Sequence, residues 1–79
     1  MTEIKEVVEY LVKLIVDKTE EVDVVEKTGD QMILFEVRVI KEDFGKIIGK
    51  HGKNIQAIRT LVNAVSAKAG KRTTIEVIE

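Results

Sequence analysis

The residues with the clearest chemical potential in this 79-residue chain lie between Gly49 and Gly52. The two glycines enclose two basic residues, Lys50 and His51, and a further basic residue, Lys53, follows directly. Because glycine has no Cβ, a turn built on two glycines lets main-chain N–H groups approach a phosphate closely. A helix that begins at residue 53 would add the positive end of its dipole at the same place. These features predict a site for the phosphate backbone of a nucleic acid.

The distribution of charge along the chain favours the same class of partner. Residues 41–72 contain eight Lys or Arg and two Asp or Glu, a net charge of +6, whereas the other residues contain five and twelve, a net charge of −7. A basic segment beside an acidic remainder is typical of a protein that binds nucleic acid with one face. Charge alone is more often typical of a solvated lysine-rich helix, so the glycine turn and its position are what favour binding.

The elements that must position this turn are predicted from the spacing of apolar residues. Residues 3–18 form a first helix, with Thr2 as its N-cap and a buried side made of Ile4, Val7, Val8, Leu11, Leu14 and Ile15. Tyr10, Val12 and Val16 widen its apolar face, which indicates either deep burial or a surface that a partner covers.

The rest of the chain alternates between strand and helix patterns. Residues 22–26 and 33–39 are predicted to form an antiparallel hairpin around a turn at 28–31. A short helix at 42–48 leads into the glycine turn, and a longer helix at 53–69 ends at Gly70 and has as its buried side Ile55, Ile58, Val62, Val65 and Ala69. Ile75 and Val77 mark a last strand. The order α-β-β-α-α-β, with a right-handed crossover, predicts an α+β two-layer sandwich.

The string from Ile47 to Ile55 resembles the signature of the KH domain: an apolar pair, Gly-x-x-Gly, and an apolar residue further on. KH domains clamp about four nucleotides with that loop. The segments 42–46, 57–59 and 69–72 are similar to those of the small bacterial KhpA family, and the resemblance covers residues 1–79 as a single KH domain. It implies the type II KH topology with a three-stranded sheet. The chain departs from the family at two places: Lys41 stands where many members have proline, and Ile55-Gln56 stands where members often have Ala-Lys. The resemblance therefore does not imply a phosphate contact at Gln56.

The resemblance implies a set of RNA-binding residues around the Gly-x-x-Gly loop. Lys50, His51 and Lys53 would contact phosphates, while Arg59, Lys71 and Arg72 would extend the basic track. The whole predicted set is Ile47, Ile48, Gly49, Lys50, His51, Gly52, Lys53, Asn54, Ile55, Arg59, Lys71 and Arg72. The three isoleucines would form an apolar floor or simply belong to the core. Since no aromatic residue lies in this set, stacking worth about 1–3 kcal/mol per base is missing, and weak, salt-sensitive binding is expected.

The resemblance also implies partners. These are single-stranded RNA (messenger RNA, small RNA or ribosomal RNA) and either a second copy of the chain or a larger RNA-binding protein of the KhpB kind. The implied role is that of a bacterial RNA chaperone or post-transcriptional regulator linked to cell shape and division. Two alternatives stay open from the residues: a protein-interaction or dimerisation module that uses the first helix, and a single-stranded DNA binder, because phosphate contacts do not involve the 2′-OH.

Composition argues against catalysis and against a membrane location. The chain has no cysteine and one histidine, so we expect no metal site, no cofactor and no catalytic residues. Gly45 and Gly49 are separated by three residues rather than four, and histidine follows Lys50, so a nucleotide-binding P-loop is not predicted. Acidic residues near the start and the absence of an apolar run of about 18 residues predict a cytoplasmic protein without a signal peptide or membrane span.

Overall fold

Three helices and three strands follow one another in the order that the sequence predicts. The computed structural model describes the main chain of residues 2–79 and the side chains of residues 4–79. The elements are α1 (Thr2–Ile15), β1 (Asp23–Thr28), β2 (Met32–Arg38), α2 (Lys41–Ile48), α3 (Lys53–Lys68) and β3 (Arg72–Ile78). Short 3₁₀ turns occupy Thr19–Glu21 and Lys50–Gly52. No helix within residues 2–79 combines the length and apolarity needed to cross a lipid bilayer.

The three strands form one mixed sheet with β2 in the centre. β1 pairs with β2 in antiparallel register, with Asp23 opposite Arg38, and the hairpin closes through a hydrogen bond of 2.7 Å from the N–H of Gly29 to the carbonyl of Met32. β3 pairs with β2 in parallel register, with Ile75 opposite Phe35. A parallel pair needs a long connection, and α2, the glycine turn and α3 provide it. The predicted α+β sandwich with a three-stranded sheet is confirmed.

The core lies between the helices and one face of the sheet. Alternate residues of β2 point into it, and Phe35 at the centre of the strand is fully buried. Helix α1 contributes a stripe at every fourth residue and α3 a stripe with spacings of three and four, because both helices pack on the sheet with one side only. The buried apolar residues are Ile4, Val8, Val12, Val16, Val24, Ile33, Phe35, Val37, Val39, Ile47, Ile55, Ile58, Val62 and Ile75.

Helix α1 differs from its prediction at its C-terminal end. It stops at Ile15, three residues early, and Lys18 beyond it has the non-helical angles φ −96° and ψ 74°. Leu14 was expected in the core, but its side chain is 65% exposed, close to the 66% of Tyr10. The extra apolar residues therefore divide: Val12 and Val16 are core and Tyr10 is surface. The predicted N-cap role of Thr2 concerns a side chain outside the described part.

Helix α3 buries a different last residue from the one predicted. Val65 is 41% exposed and Ala69 is also exposed, so their prediction as core residues is wrong. Eleven residues make about three helical turns, so the stripe that starts at Ile55 arrives at Ser66. The hydroxyl of Ser66 donates to the carbonyl of Asn63 at 3.2 Å, which is why a polar side chain can be fully buried there.

The end of α3 is confirmed at Gly70. This glycine has a φ of 76°, its N–H donates to Ala67, and the N–H of Lys71 reaches back to Ser66 at 3.0 Å. These two bonds form a Schellman motif, which satisfies helix carbonyls that have no intrahelical partner.

A buried carboxylate joins α2 to the segment that follows α1. Asp43 lies in the first turn of α2 and is only 1% exposed. Its Oδ2 accepts a hydrogen bond of 3.0 Å from the main-chain N–H of Lys18, and its Oδ1 lies 3.6 Å from the ammonium of Lys46. The hydrogen bond from the Lys18 N–H favours the ionised form of Asp43, and the charge of Lys46 adds a smaller effect. Together they hold the pKa of Asp43 below its ordinary value.

We expect Asp43→Ala to lower the melting temperature by roughly 5–15 °C, because it leaves the Lys18 N–H without its buried acceptor. The matched control is Asp17→Ala, which removes an acidic side chain that is 73% exposed and also contacts Lys46. It should shift the melting temperature by less than about 3 °C. Thermal unfolding followed by circular dichroism at pH 7 checks both variants, and equal losses would contradict the role given to Asp43.

The same carboxylate predicts the direction of the pH dependence. A pKa that is lower in the folded chain than in the unfolded chain stabilises the fold above the unfolded value, about 3.9, and the benefit is lost as pH falls through the folded value. The difference in melting temperature between wild type and Asp43→Ala should therefore narrow below about pH 4. A difference that stays constant between pH 7 and pH 2.5 would disprove this contribution.

Candidate nucleic-acid interface

Three of the four positive φ angles among the described residues occur in the turn between α2 and α3. Gly49, His51 and Gly52 have φ angles of 77°, 58° and 73°. The N–H of Gly52 donates to the carbonyl of Gly49 at 3.1 Å, and the N–H of Lys53 donates to the carbonyl of Lys50. The chain therefore reverses sharply, and residues 50 and 51 stand at the tip of the turn.

The two glycines of the turn are required for different reasons. Gly49 has φ 77° and ψ 172°, a region that only glycine occupies readily. A Cβ on Gly49 would lie 2.7 Å from Cγ and 2.9 Å from the main-chain nitrogen of Asn54. Gly52 has φ 73° and ψ 16°, but a Cβ there would meet nothing within 4 Å. Both conformation and close packing therefore require glycine at 49, whereas only conformation favours it at 52.

His51 is the one described residue other than glycine with a positive φ. Its angles, φ 58° and ψ 25°, lie in the left-handed region, which costs an L-residue roughly 1–2 kcal/mol. Histidine, asparagine and aspartate tolerate this region better than other side chains do. Strained residues are concentrated where proteins bind ligands, and the side chain of His51 is exposed at the tip.

Basic side chains and a helix terminus meet at this turn. Lys50, His51 and Lys53 are all exposed. Helix α3 begins at Lys53 and runs for 16 residues, so its N-terminal end, with its partial positive charge, faces the turn. An anion at the tip would meet positive side chains and a positive helix end together.

The predicted apolar floor divides into core and surface. Ile47 is fully buried and Ile55 is 5% exposed, so both support the turn from the core. Ile48 is half-buried and packs against the core from its rim. Of the three isoleucines, Ile48 presents the most surface to a ligand.

Asn54 and Lys46, on either side of the turn, are joined by a hydrogen bond. The Nδ2 of Asn54 donates to the carbonyl of Lys46 at 2.8 Å. The ammonium of Lys46 contacts the carboxylates of Asp17 and Asp43. Both raise the pKa of the lysine, and the hydrogen bond with Asp17 has the larger effect. No role was predicted for Lys46 from the sequence. Its ion pair with Asp43 could have been predicted, because the two residues are three positions apart in a predicted helix.

Arg59 lies against the sheet rather than beside the turn. Its Nη2 donates to the carbonyl of Ile75 at 3.1 Å. One turn further along α3, the Oδ1 of Asn63 accepts hydrogen bonds from the hydroxyl of Thr73 at 2.7 Å and from its main-chain N–H at 3.4 Å. Both residues therefore satisfy main-chain groups of β3, which is one of the two edge strands of the sheet.

Lys71 and Arg72 lie at the opposite end of α3 from the glycine turn. The 16 residues of α3 separate the two places, which corresponds to about 24 Å along the helix axis. The structure therefore brings Lys50, His51, Lys53 and Asn54 together at one end and leaves Lys71 and Arg72 as a separate basic group at the other.

The solvent-facing side of α3 carries almost no charge. Between Lys53 and Lys68 the only charged residue is Arg59, whose guanidinium is directed to the edge of β3. Leu61 and Val65 on this helix are 53% and 41% exposed. Helices α1 and α3 pack against each other, so two neighbouring helices both present large apolar side chains to solvent.

Nearly the whole sequence matches one protein family. The family model described as KhpA/KhpB, KH domain, matches residues 5–77. The chain belongs to this KH-domain family. It is 46% identical over 74 residues to RNA-binding protein KhpA of Clostridium perfringens, which covers 94% of this chain and 99% of that protein. It is 38% identical over 79 residues to RNA-binding protein KhpA of Aquifex aeolicus, with 100% of both chains covered.

Solved structures show the same fold as this KhpA-family chain. Aquifex aeolicus Era bound to GDP and AlF₄⁻ superposes with a TM-score of 0.71 at 16% identity, covering 95% of this chain and 29% of Era. Era in complex with MgGDPNP and nucleotides 1506–1542 of 16S ribosomal RNA superposes with a TM-score of 0.62 at 20% identity, covering 94% and 28%. This chain spans less than a third of each Era chain.

We expect the two glycines to differ when each is replaced by alanine. Gly52→Ala should cost about 1 kcal/mol for its left-handed conformation. Gly49→Ala should cost about 2–4 kcal/mol, because a clash with Asn54 adds to an unfavourable conformation. Urea denaturation followed by circular dichroism measures both. Equal losses in the two variants would show that the packing of Asn54 over Gly49 contributes nothing.

Proposed function

We propose that this chain binds single-stranded RNA by clamping its backbone at the turn between α2 and α3. The observation that carries the proposal is the geometry at residues 49–52. Glycines at both ends hold a strained, exposed His51 and an exposed Lys50 at the N-terminal end of α3. This arrangement suits a phosphodiester, because it joins close main-chain approach, side-chain cations and a helix dipole.

The comparisons support RNA as the polymer. The curated relatives that cover nearly the whole chain are called RNA-binding proteins, and one of the two Era structures with the same fold contains a segment of 16S ribosomal RNA. In this proposal Lys50, His51 and Lys53 contact phosphates, and Ile48 contacts bases beside the turn. Binding involves no chemical step. We place the role in post-transcriptional regulation in the bacterial cytoplasm, with messenger, small or ribosomal RNA as targets and consequences for cell shape and division.

The proposal is tested by fluorescence anisotropy with a labelled single-stranded RNA. Lys50→Asp/His51→Asp should weaken binding at least tenfold, since two phosphate contacts are replaced by repulsion. Aspartate tolerates the conformation of residue 51, so the variant should stay folded. The matched control, Lys71→Asp/Arg72→Asp, also replaces two basic residues by aspartate, but at the far end of α3. It should weaken RNA binding less than the loop variant does.

Two further binding measurements, at different salt concentrations and with DNA in place of RNA, complete the test. With about three phosphate contacts, raising salt from 50 to 200 mM should weaken wild-type binding by roughly 20-fold. A single-stranded DNA of the same sequence distinguishes RNA recognition from general phosphate binding, because only RNA carries the 2′-OH. Equal binding by wild type and the folded loop variant would disprove the clamp, and equal affinity for DNA and RNA would favour the single-strand binder without RNA preference.

A second candidate function is self-association through α3, with a second copy of the chain as the partner. Interface centres are depleted of charged residues, and the exposed side of α3 has this property from residue 54 to residue 67 apart from Arg59. An uncharged face can also meet its own copy across a two-fold axis without like-charge repulsion. On α1, by contrast, the exposed Tyr10 has exposed charged neighbours, Glu6 and Lys13. A KhpB-type partner would use the same face of α3 in this proposal.

Leu61→Asp should weaken self-association by at least about 30-fold, because it places a charge at the centre of the apolar face. Tyr10→Asp is the matched control on α1 and should have a smaller effect. Sedimentation velocity over a range of protein concentrations measures both. A larger effect of Tyr10→Asp would move the interface to α1, and a wild type that is monomeric at all concentrations would eliminate the candidate.

A further inference from the structure

We propose that Asn54 is a positioning residue that holds the glycine turn in its binding conformation before RNA arrives. This inference rests on the proposed function and concerns how the site is preorganised. Asn54 was predicted as an RNA contact, and in the structure its amide group is directed back to the end of α2. Its Nδ2 donates to the carbonyl of Lys46 at 2.8 Å. We call this bond the Asn54–Lys46 clasp.

The clasp spans the whole turn. Lys46 lies in the last turn of α2 and Asn54 in the first turn of α3, so one side chain connects the two helices across residues 47–53. The last carbonyls of a helix have no partner within the helix. The carbonyl of Lys46 is one of these, since α2 ends at Ile48, and the carboxamide of Asn54 satisfies it.

Packing and hydrogen bonding act at the same place. The Cβ and Cγ of Asn54 occupy the space directly over Gly49, within 2.8 Å and 2.7 Å of the position where a Cβ of that glycine would stand. Gly49 is the residue at which the chain leaves α2, with the angles φ 77° and ψ 172°. Asn54 therefore rests on the pivot of the turn while its amide group bonds to the helix before it.

The other end of the clasp is anchored as well. The ammonium of Lys46 contacts Asp17 and Asp43, and Asp43 is buried and bonded to the N–H of Lys18. Lys46 thus contacts the acidic residues through its side chain and Asn54 through its carbonyl. A hydrogen bond that fixes a turn must end on a group that does not move with the turn. The carbonyl of Lys46 is such a group, because it belongs to helix α2, which the buried Asp43 ties to the main chain at Lys18.

The clasp is expected to help binding by raising the fraction of free molecules whose turn is already in the binding conformation. His51 holds a strained conformation in the free chain, and a turn that relaxes from it is no longer competent to bind. The apparent affinity falls in proportion to the competent fraction. If loss of the clasp reduces that fraction to about a tenth, binding weakens about tenfold, without any contact between Asn54 and RNA.

The decisive measurement is made on the free protein by NMR relaxation of ¹⁵N-labelled samples. In the wild type, the amides of residues 50–53 should have order parameters near about 0.85, and in Asn54→Ala these should fall below about 0.6. Asn54→Leu keeps the branched shape over Gly49 without the donor and should behave like Asn54→Ala. Gln56→Ala is the matched control: it removes a carboxamide from the same turn of α3 that makes no hydrogen bond in the described structure.

The second measurement is anisotropy with single-stranded RNA for the same four proteins. Asn54→Ala and Asn54→Leu should both bind about 3- to 10-fold more weakly, and Gln56→Ala should bind within about twofold of wild type. The melting temperatures of all four should agree within a few degrees, because the clasp is exposed and contributes little to global stability.

The outcomes separate the clasp from the proposed function. A mobile turn together with weaker binding supports positioning. Weaker binding with an unchanged free turn would make Asn54 a direct RNA contact and overturn the inference, as would a mobile turn with unchanged binding or a rigid turn in both variants. If the wild type itself binds no RNA, the proposed function fails, and the relaxation data still decide whether Asn54 holds the turn.

Discussion

The sharp reversal of the chain at Gly49, directly under Asn54, is the constraint on which the arrangement of the α2–α3 half of the molecule depends. At this point the chain must leave one helix and enter the next with no space for even a methyl group between them. The direction of α3 over the sheet, the placement of the basic tip and the direction of the helix dipole all follow from that reversal. A small domain buries only about 60% of its unfolded surface, so a single sharp reversal of the chain has a large share in defining its shape.

Helix α3 connects the turn to the sheet. Its first residues close the turn, its middle packs Ile58 and Val62 into the core, and its last turn is terminated by Gly70. Arg59 and Asn63 bond to the edge strand along the way. The same helix therefore presents cations at one end, core residues on one side and an uncharged surface on another. Three demands on one helix explain why its sequence lacks the simple amphipathic pattern of α1.

Most of the fold could be predicted from the sequence, because the local signals agree with the global arrangement. Alternation in β2, the glycines at 49, 52 and 70, and the helical spacing of Ile55, Ile58 and Val62 all indicated the observed elements. The errors occurred where tertiary contacts prevail over local pattern. Lys18 lies outside the helix and its N–H bonds to Asp43, 25 positions away in sequence, and no periodicity in residues 3–18 reports that partner. Ser66 replaces Val65 in the core because Asn63 and Thr73 satisfy its hydroxyl.

The candidate site divides in the same way. Its centre, the Gly-x-x-Gly loop with Lys50 and His51, could be predicted because glycine spacing is a local property. The roles of single side chains could not, since they depend on distance in space. Arg59 bonds to β3, Ile47 is core, and Lys46 is held by two carboxylates that a count of charges along the chain treats as unrelated.

The bonds from Arg59 and Asn63 to β3 also have a consequence for the behaviour of the chain in a crowded solution. An edge strand with free N–H and carbonyl groups is a template on which another extended chain can add. Here the carbonyl of Ile75 and the N–H of Thr73 are already engaged by side chains of the covering helix. An incoming strand would have to displace a guanidinium and a carboxamide before it could pair. The fold thereby resists open-ended sheet growth at this edge, and it does so with residues whose sequence positions suggest nothing of the kind.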